Sequence, residues 1–244
     1  MADMKIRWKL ERMDEGAVSD PRFAECLIQI EGVIEYDGQP AGLVDAHYVY
    51  SDCPDSGEAF SELWDMDARS CAVYEEISDP DLDMFREPLQ EFLDPASGIL
   101  CVHFIALRPA FRGIGLGQRA LRELVRSMAD PRIGLVLMDA QPLQHMPHGY
   151  DDFDEEVRDL PWNSEAEDLD RLIRHFETWG MKHLQGTRYM YAAPDALRDS
   201  RTPQWPPCVI HDRWNTCYVC GGWVNLEAGE GRADDDGAVH TVCE

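Results

Sequence analysis

Lysine is almost missing from this chain: only Lys5, Lys9 and Lys182 occur among 244 residues. The 47 acidic residues outnumber the 22 lysines and arginines and give a formal net charge of -25. Because contacts to nucleic-acid phosphates depend on lysine and arginine, this balance disfavours a nucleic-acid partner. The acidity suits a cationic acceptor molecule, and solubility or salt tolerance explains it equally well.

The chain also lacks a hydrophobic run long enough to cross a membrane, which takes about 20 consecutive apolar residues. Its first residues, Met1 to Lys5, lack the basic start and apolar centre of a secretory signal peptide. Together these absences predict a cytoplasmic protein without a membrane partner. Nothing in the sequence indicates an oligomeric state.

Cysteine is thinly scattered until the last 37 residues, which hold four of the eight cysteines. Two pairs of candidate metal ligands, each with two intervening residues, lie in this tail: Cys217 with Cys220, and His240 with Cys243. Zinc favours sulfur and nitrogen ligands at this spacing in closed tetrahedral sites. We therefore predict a structural zinc ion in a tail that resembles small zinc-ribbon modules, with Cys208 or His211 as alternatives for one ligand. The remaining alternative is a tail with free thiols.

An apolar strand, a glycine-rich turn and an amphipathic helix follow one another in the middle of the chain. The apolar run covers residues 98–107, and the turn Arg-Gly-Ile-Gly-Leu-Gly covers 112–117. Because the first N–H groups of a helix lack internal partners and the helix dipole is positive there, this order predicts an anion site. Six arginines between 108 and 132 make a local basic island, which suits a polyanionic ligand.

The flanking segments predict a mixed α/β domain over residues 1–197, followed by a proline-rich linker at 198–207 and the tail at 208–244. Strands are expected at 5–12 and 133–138 and within 24–36 and 41–50. Helices are expected at 60–77, within 82–93 (interrupted or started at Pro88), and after a capping box at Ser164, followed by a hairpin or two short strands over 182–192. The long segment 141–163 carries an acidic run at 151–156. That run is either a solvated face or an element that binds the acceptor.

This order of elements resembles the GNAT superfamily of acyl-CoA-dependent N-acetyltransferases over residues 100–192. The family motif is Gln or Arg, two residues, Gly, one residue, and Gly or Ala, which Arg112 to Gly117 match at every fixed position. The stretch from His175 to Met181 resembles the second family motif, in which an aromatic residue is followed four residues later by glycine and an apolar residue.

The resemblance implies a splayed central sheet flanked by helices, and acetyl-CoA as cosubstrate. It implies that backbone N–H groups of the glycine turn hold the pyrophosphate and that the pantetheine arm pairs with the edge of the central strand. The implied cofactor-binding residues are Ile105, Leu107, Arg112, Gly113, Ile114, Gly115, Leu116, Gly117 and Gln118. The implied reaction transfers acetyl to a primary amine of a small molecule or protein.

The family's usual general acid, a tyrosine, is replaced here by Phe176, and a common asparagine by Leu169. The two helices that the family places after its first strand follow the hairpin in this chain. Tyr150, Tyr189 and Tyr191 are substitute acids, and water is another. These departures keep open an alternative function: a non-catalytic acyl-CoA-binding module whose zinc-dependent tail contacts other proteins.

His103, Asp139 and Tyr189 are the predicted catalytic residues. Alternation along the strand places His103 on the same side as Ile105 and Leu107, and histidine titrates near working pH. A histidine in an apolar strand is more often a hydrogen-bonded core residue. Asp139, at the end of the next strand, and His145 are further candidates for the base.

The glycine turn also matches a looser dinucleotide-binding fingerprint over residues 115–120, with Asp139 at about the expected distance. In that fold the glycines follow the strand directly and the sheet is parallel. Here Gly115 lies well past the predicted strand end at Leu107, and hairpins are expected on both sides. The acyl-CoA interpretation is therefore favoured.

Overall fold

A seven-stranded, mostly antiparallel sheet with helices on both faces organises the computed structural model, so the fold is mixed α/β. The residues that the structure describes are 4–12, 26–49, 68–79, 84–92, 98–128, 133–145, 160, 163–197, 214–216, 223–225, 231–234 and 237–240. Within these ranges, no helix combines the length and the apolar content that crossing a membrane requires.

The elements follow one another along the chain with short connections in the central part. In chain order they are β1 (Met4–Arg12), β2 (Leu27–Tyr36), β3 (Gln39–Val49), α1 (Ala68–Ile77), β4 (Ser78–Asp79), β5 (Met84–Phe85), β6 (Gly98–Leu107), α2 (Leu116–Ser127), β7 (Ile133–Asp139), α3 (Glu165–Glu177), β8 (Lys182–His183), β9 (Tyr189–Ala192), α4 (Pro194–Leu197), β10 (Trp214–Thr216), β11 (Trp223–Asn225), β12 (Gly231–Asp234) and β13 (Gly237–His240). Single 3-10 turns cover Leu89–Phe92, Pro109–Phe111 and Leu143–His145.

The strand order of the main sheet is β1-β2-β3-β6-β7-β9-β8. Only β6 and β7 are parallel neighbours, because α2 carries the chain back across the sheet between them. The predicted hairpin between β2 and β3 is confirmed: Asp37 and Gly38 both have positive φ angles, 50° and 75°, as a two-residue type I′ turn requires. The predicted hairpin over 182–192 is confirmed by the pairing of β8 with β9.

The core lies on both faces of the sheet. On one face, the predicted apolar side of α2 is buried against alternate residues of β6, including Leu100 and Val102. On the other face, Val73 and Ile77 of α1 pack with Ile99 and its neighbours. The alternation of side chains along β6 therefore separates two layers of apolar packing.

The short helix predicted within 82–93, interrupted or started at Pro88, is found only as a four-residue 3-10 turn, Leu89–Phe92, directly after Pro88. Residues 84–85 form the short strand β5 instead, and a 3-10 turn follows from Leu89. Pro88 has no N–H to donate and restricts the residue before it, so a helix cannot run through this position. Arg86 donates from Nε to the carbonyl of Ser78 at 3.2 Å and fixes the strand against β4.

Several predictions fall on residues outside the described ranges. These are the start of the helix predicted at 60–77, the acidic run 151–156 and the linker 198–207. The helix is described from Ala68 onward. The proposed division of the chain into domains stays a prediction.

Candidate active site

The parallel strands β6 and β7 separate halfway along β6. Their pairing runs from Gly98 opposite Ile133 to Val102 opposite Met138, whereas β6 continues to Leu107. Over its second half β6 remains paired only with β3, and the end of β7 is paired with β9. A cleft of about 500 Å³ lies between the separated strands, the start of α2 and the inner face of α3.

A β-bulge lies where the strands separate. On β3, Asp45 pairs with Phe104 while the next residue, Ala46, pairs with Val102, so His103 is the extra residue. An extra residue reverses the alternation of side chains beyond it. Val102 packs in the core beneath α2 and α3, and beyond the bulge Ile105 packs against that same core.

The bulge places His103 on the opposite face of the sheet from Ile105 and Leu107, so the prediction from strict alternation is wrong. The His103 ring is buried, and its Nε2 lies 2.5 Å from Nδ1 of His47 on β3. His103 is absent from the described lining of the cleft. The structure therefore places it as a hydrogen-bonded core residue, the alternative already considered.

The glycine turn joins the end of β6 to α2. Gly113 and Gly115 have φ angles of 75° and 80°, which glycine adopts at little cost and other residues rarely adopt. A Cβ atom added to either glycine would meet no atom within 4 Å, so open space adjoins the turn. Because the first N–H groups of α2 have no acceptors inside the helix, they are available to an anion in this space.

Gly117 has a different role, since it allows α2 to approach the end of α3 closely. A Cβ atom on Gly117 would lie 2.9 Å from Cη2 of Trp179. Trp179 also packs against Phe176, with ring centroids 4.9 Å apart, and both aromatic residues line the cleft. The third small residue of the motif is therefore required by packing.

Arg112 fixes the turn to the strand that precedes it. Its Nε donates a hydrogen bond of 2.9 Å to the carbonyl oxygen of Leu107. This contact explains why a long side chain with a fixed donor is useful at the first position of the motif. Of the nine predicted cofactor-binding residues, all except Ile114 line the cleft. Ile114 lies at the tip of the turn, where it is 54% exposed.

Asp139 ends β7 at the point where the strands separate, and it lines the cleft. Its Oδ1 accepts a hydrogen bond from the Gln141 N–H at 2.9 Å and lies 2.9 Å from Nε of Arg188. Both of these contacts are to Oδ1. Burial raises the pKa of Asp139 above its ordinary value, although Arg188 and the Gln141 amide act in the opposite direction.

Tyr189 pairs with Asp139 across the sheet but does not line the cleft. Its side chain is buried in the layer beneath α1, and its hydroxyl accepts a hydrogen bond of 3.2 Å from Nη2 of Arg188. Burial raises the pKa of the Tyr189 hydroxyl well above its ordinary value. Tyr191 is buried in the same layer, and Tyr150 lies outside the described residues. Neither of the two described substitute acids, Tyr189 and Tyr191, therefore lies at the cleft.

Asp168 is a residue of the cleft that the sequence reasoning missed. Its buried carboxylate accepts hydrogen bonds from four side chains: Gln144, His145, Asn163 and Arg171. The hydrogen bonds from Asn163 and His145 hold the pKa of Asp168 well below its ordinary range. With its lone pairs occupied, it is unsuited to act as a base. The sequence did contain one indication of this role: Asp168 is an acidic residue on the inward face of an amphipathic helix, four positions before Leu172.

The lining of the cleft is poor in hydroxyl groups. Within its described part, Thr178 is the only residue with a side-chain hydroxyl, and Phe176 contributes an apolar ring. His175 also lines the cleft, and burial lowers the pKa of its ring. A neutral imidazole is therefore the expected state of His175 at neutral pH.

The predicted zinc ligands fall almost entirely outside the described residues. His240 is the last residue of β13, which pairs with β12. Cys217 and Cys220 belong to the segment that connects the paired strands β10 and β11. Within the part of the chain that the structure describes, no group of three metal-binding side chains occurs.

Comparison of the chain with protein-family models, with curated proteins and with solved structures found no match.

Proposed function

We propose that this chain is an acyl-CoA-dependent N-acetyltransferase with a GNAT-like arrangement of its central sheet. One observation carries the proposal: two parallel strands separate beside a glycine turn that begins a helix. The separation exposes a strand edge, and the turn offers N–H donors at one end of the resulting cleft. A long ligand with an anionic head and an amide-containing arm suits both features.

The donor would lie along the cleft from the glycine turn to the point of separation. Its pyrophosphate would accept hydrogen bonds from the N–H groups at the start of α2, with the positive end of the helix dipole adding attraction. The pairing of β6 with β7 ends at Val102, so the edge of β6 beyond it can pair with the amides of pantetheine as an added strand would. Ile105 and Leu107 then supply apolar contact for the arm.

Transfer requires the acceptor ammonium ion to lose a proton, which Asp139 accepts. The nitrogen lone pair then forms a bond to the thioester carbonyl carbon, the carbon–sulfur bond breaks, and CoA leaves as a thiolate. The remaining excess proton on nitrogen passes to sulfur directly or through water, giving an amide and CoA thiol. Because positioning supplies much of the rate in such a reaction, the proposed transfer does not depend on a tyrosine acid.

Asp139 supports this role by position and by environment. It lies at the end of β7, beside the point where the pantetheine arm would end. A raised pKa makes a carboxylate a better proton acceptor near neutral pH than an ordinary aspartate. The Gln141 amide and Arg188 both contact Oδ1, and these two contacts fix the orientation of the carboxylate group.

Binding of acetyl-CoA and its turnover test the proposal separately. We expect acetyl-CoA to raise the melting temperature of the full chain, since a ligand that binds only the folded state stabilises it. We also expect amine-dependent release of thiol from acetyl-CoA. Binding without thiol release across a broad amine panel would favour the non-catalytic acyl-CoA-binding module. Absence of binding would contradict both functions.

For the tail we propose a structural zinc ion held by Cys217, Cys220, His240 and Cys243. The donor set carries this proposal, because two sulfur-bearing pairs at two-residue spacing match the preference of zinc for a closed tetrahedral site. The connection of β10 to β11 contains one pair, and in the other pair His240 is the last residue of β13 and Cys243 follows it in the sequence. Metal analysis should find about one zinc per chain, and a Cys217→Ser, Cys220→Ser variant should lose it.

A further inference from the structure

The end of the cleft farthest from the glycine turn has an apolar wall. Phe104 and Met138 lie where the strands separate, about 10 Å of strand from Leu107 and the turn. Phe104 packs in a small cluster with Leu143, and Leu160 and Leu172 line the cleft as well. Among the described residues, an acceptor bound next to the thioester would therefore contact mostly hydrocarbon.

Among the described residues, few charged side chains lie at this end of the cleft. Asp168 and Arg171 neutralise each other through a contact of 2.8 Å, and the other donors around Asp168 occupy its remaining lone pairs. Among the described residues, Arg188 and the Gln141 amide contact Oδ1 of Asp139, which lines the cleft.

We propose that the acceptor is an apolar monoamine: a single primary amine carried on an aliphatic or aromatic body. Its ammonium group would donate to Oδ2 of Asp139, while its body packs against Phe104 and Leu143. This inference rests on the proposed acetyltransferase function and narrows the broad class of amine acceptors that the acidic composition suggests.

A polyamine or an aminoglycoside fits these residues poorly. After one ammonium group reached Asp139, the others would lie against hydrocarbon side chains or near the guanidinium groups of Arg171 and Arg188. Burying an unpaired charge in such a place is costly, whereas an apolar body gains from contact with the same wall. A short polar monoamine such as ethanolamine would satisfy Asp139 but leave the wall uncovered.

Steady-state thiol release from acetyl-CoA with the full chain tests the acceptor class. The panel contains 2-phenylethylamine and hexylamine, with ethanolamine, spermidine and kanamycin as the contrasting amines. We expect kcat/KM for 2-phenylethylamine to exceed that for each contrasting amine at least tenfold. A preference for spermidine or kanamycin would overturn the inference and leave the acetyltransferase function standing.

Calorimetric titration of 2-phenylethylamine into the CoA-saturated protein tests the same inference without turnover. We expect binding that Asp139→Asn and Leu143→Asn each weaken at least tenfold, and that the distant control Asp37→Asn leaves unchanged. Melting temperatures of the variants show whether each is folded. No detectable binding to folded wild-type protein, or equal binding to the Asp139 variant, would overturn the inference; failure of CoA itself to bind would overturn the function first.

Discussion

Oδ2 of Asp168 lies 2.9 Å from Nε2 of His145, and this contact ties the turn after β7 to the first turn of α3. The same carboxylate also holds Gln144 and Asn163, so it joins two walls of the cleft. The side chain of Asp168 is 1% exposed, which leaves water little access to these hydrogen bonds. Asp168 is therefore a positioning residue that keeps the cleft in shape.

We expect Asp168→Asn to lower the melting temperature by about 5 °C or more, because an amide cannot accept all the donors that surround the carboxylate. Asp170→Asn is the matched control, since Asp170 lies on the same helix and is exposed. Calorimetry on the two variants measures the difference. Equal melting temperatures would show that the hydrogen bonds around Asp168 do not stabilise the fold.

The stabilisation from Asp168 should depend on pH in a defined direction. Its pKa is lower in the folded state than in the unfolded chain, so its contribution is fully present above the ordinary aspartate pKa of about 4 and is lost as pH falls toward the folded-state pKa. Urea unfolding of wild type and Asp168→Asn at a series of pH values measures the difference. We expect the difference in unfolding free energy between the two proteins to be constant from about pH 5.5 to about pH 7. Below about pH 4 we expect this difference to shrink. A difference that grows on acidification would contradict this account.

Gly117→Val should destabilise the protein by about 1–3 kcal/mol, because its side chain would overlap the indole of Trp179. In a Trp179→Leu background the same substitution should cost less, since the smaller side chain leaves room. A double-mutant cycle by urea unfolding measures this coupling. Fully additive effects of the two substitutions would show that the residues do not meet in this way.

Arg188 should set the pH dependence of catalysis through Asp139. The guanidinium of Arg188 lowers the pKa of Asp139, so Arg188→Met should raise that pKa further. If Asp139 accepts the proton, the acidic limb of the kcat/KM profile for thiol release moves to higher pH in this variant. Arg174→Met, on the outer part of α3, is the control. An unchanged limb would remove Asp139 from the role of base.

Much of the architecture was predictable because local chemistry decides it. The turn at Asp37 and Gly38, the apolar face of α2 and the capping box at Ser164 all follow from short-range patterns, and the structure confirms each. The contacts that shape the cleft are long-range. Pairing with β3 decides where the bulge at His103 lies, and residues far apart in sequence surround Asp168. Neither position has a local pattern that reveals it.

The candidate catalytic residues were harder to place from the sequence than the candidate cofactor-binding residues, for a related reason. The predicted contacts at the turn come from one continuous stretch, and all but Ile114 line the cleft. Catalytic side chains depend instead on how separate strands face each other. One extra residue in β6 sends His103 to the opposite face, and burial beneath α1 removes Tyr189 from the cleft. Asp139 is the one of the three that the structure places there.

The most direct test of the central claim is a calorimetric titration of acetyl-CoA into wild type, Gly115→Glu and Gly186→Glu. Gly186 is a matched control, because both glycines have φ near 80° and open space around them, and only Gly115 lies at the cleft. We expect wild type and the Gly186 variant to bind alike, and the Gly115 variant to show no binding, since its carboxylate would occupy the pyrophosphate position and repel it. Equal affinity in all three proteins would contradict the assignment of the glycine turn as the acetyl-CoA site.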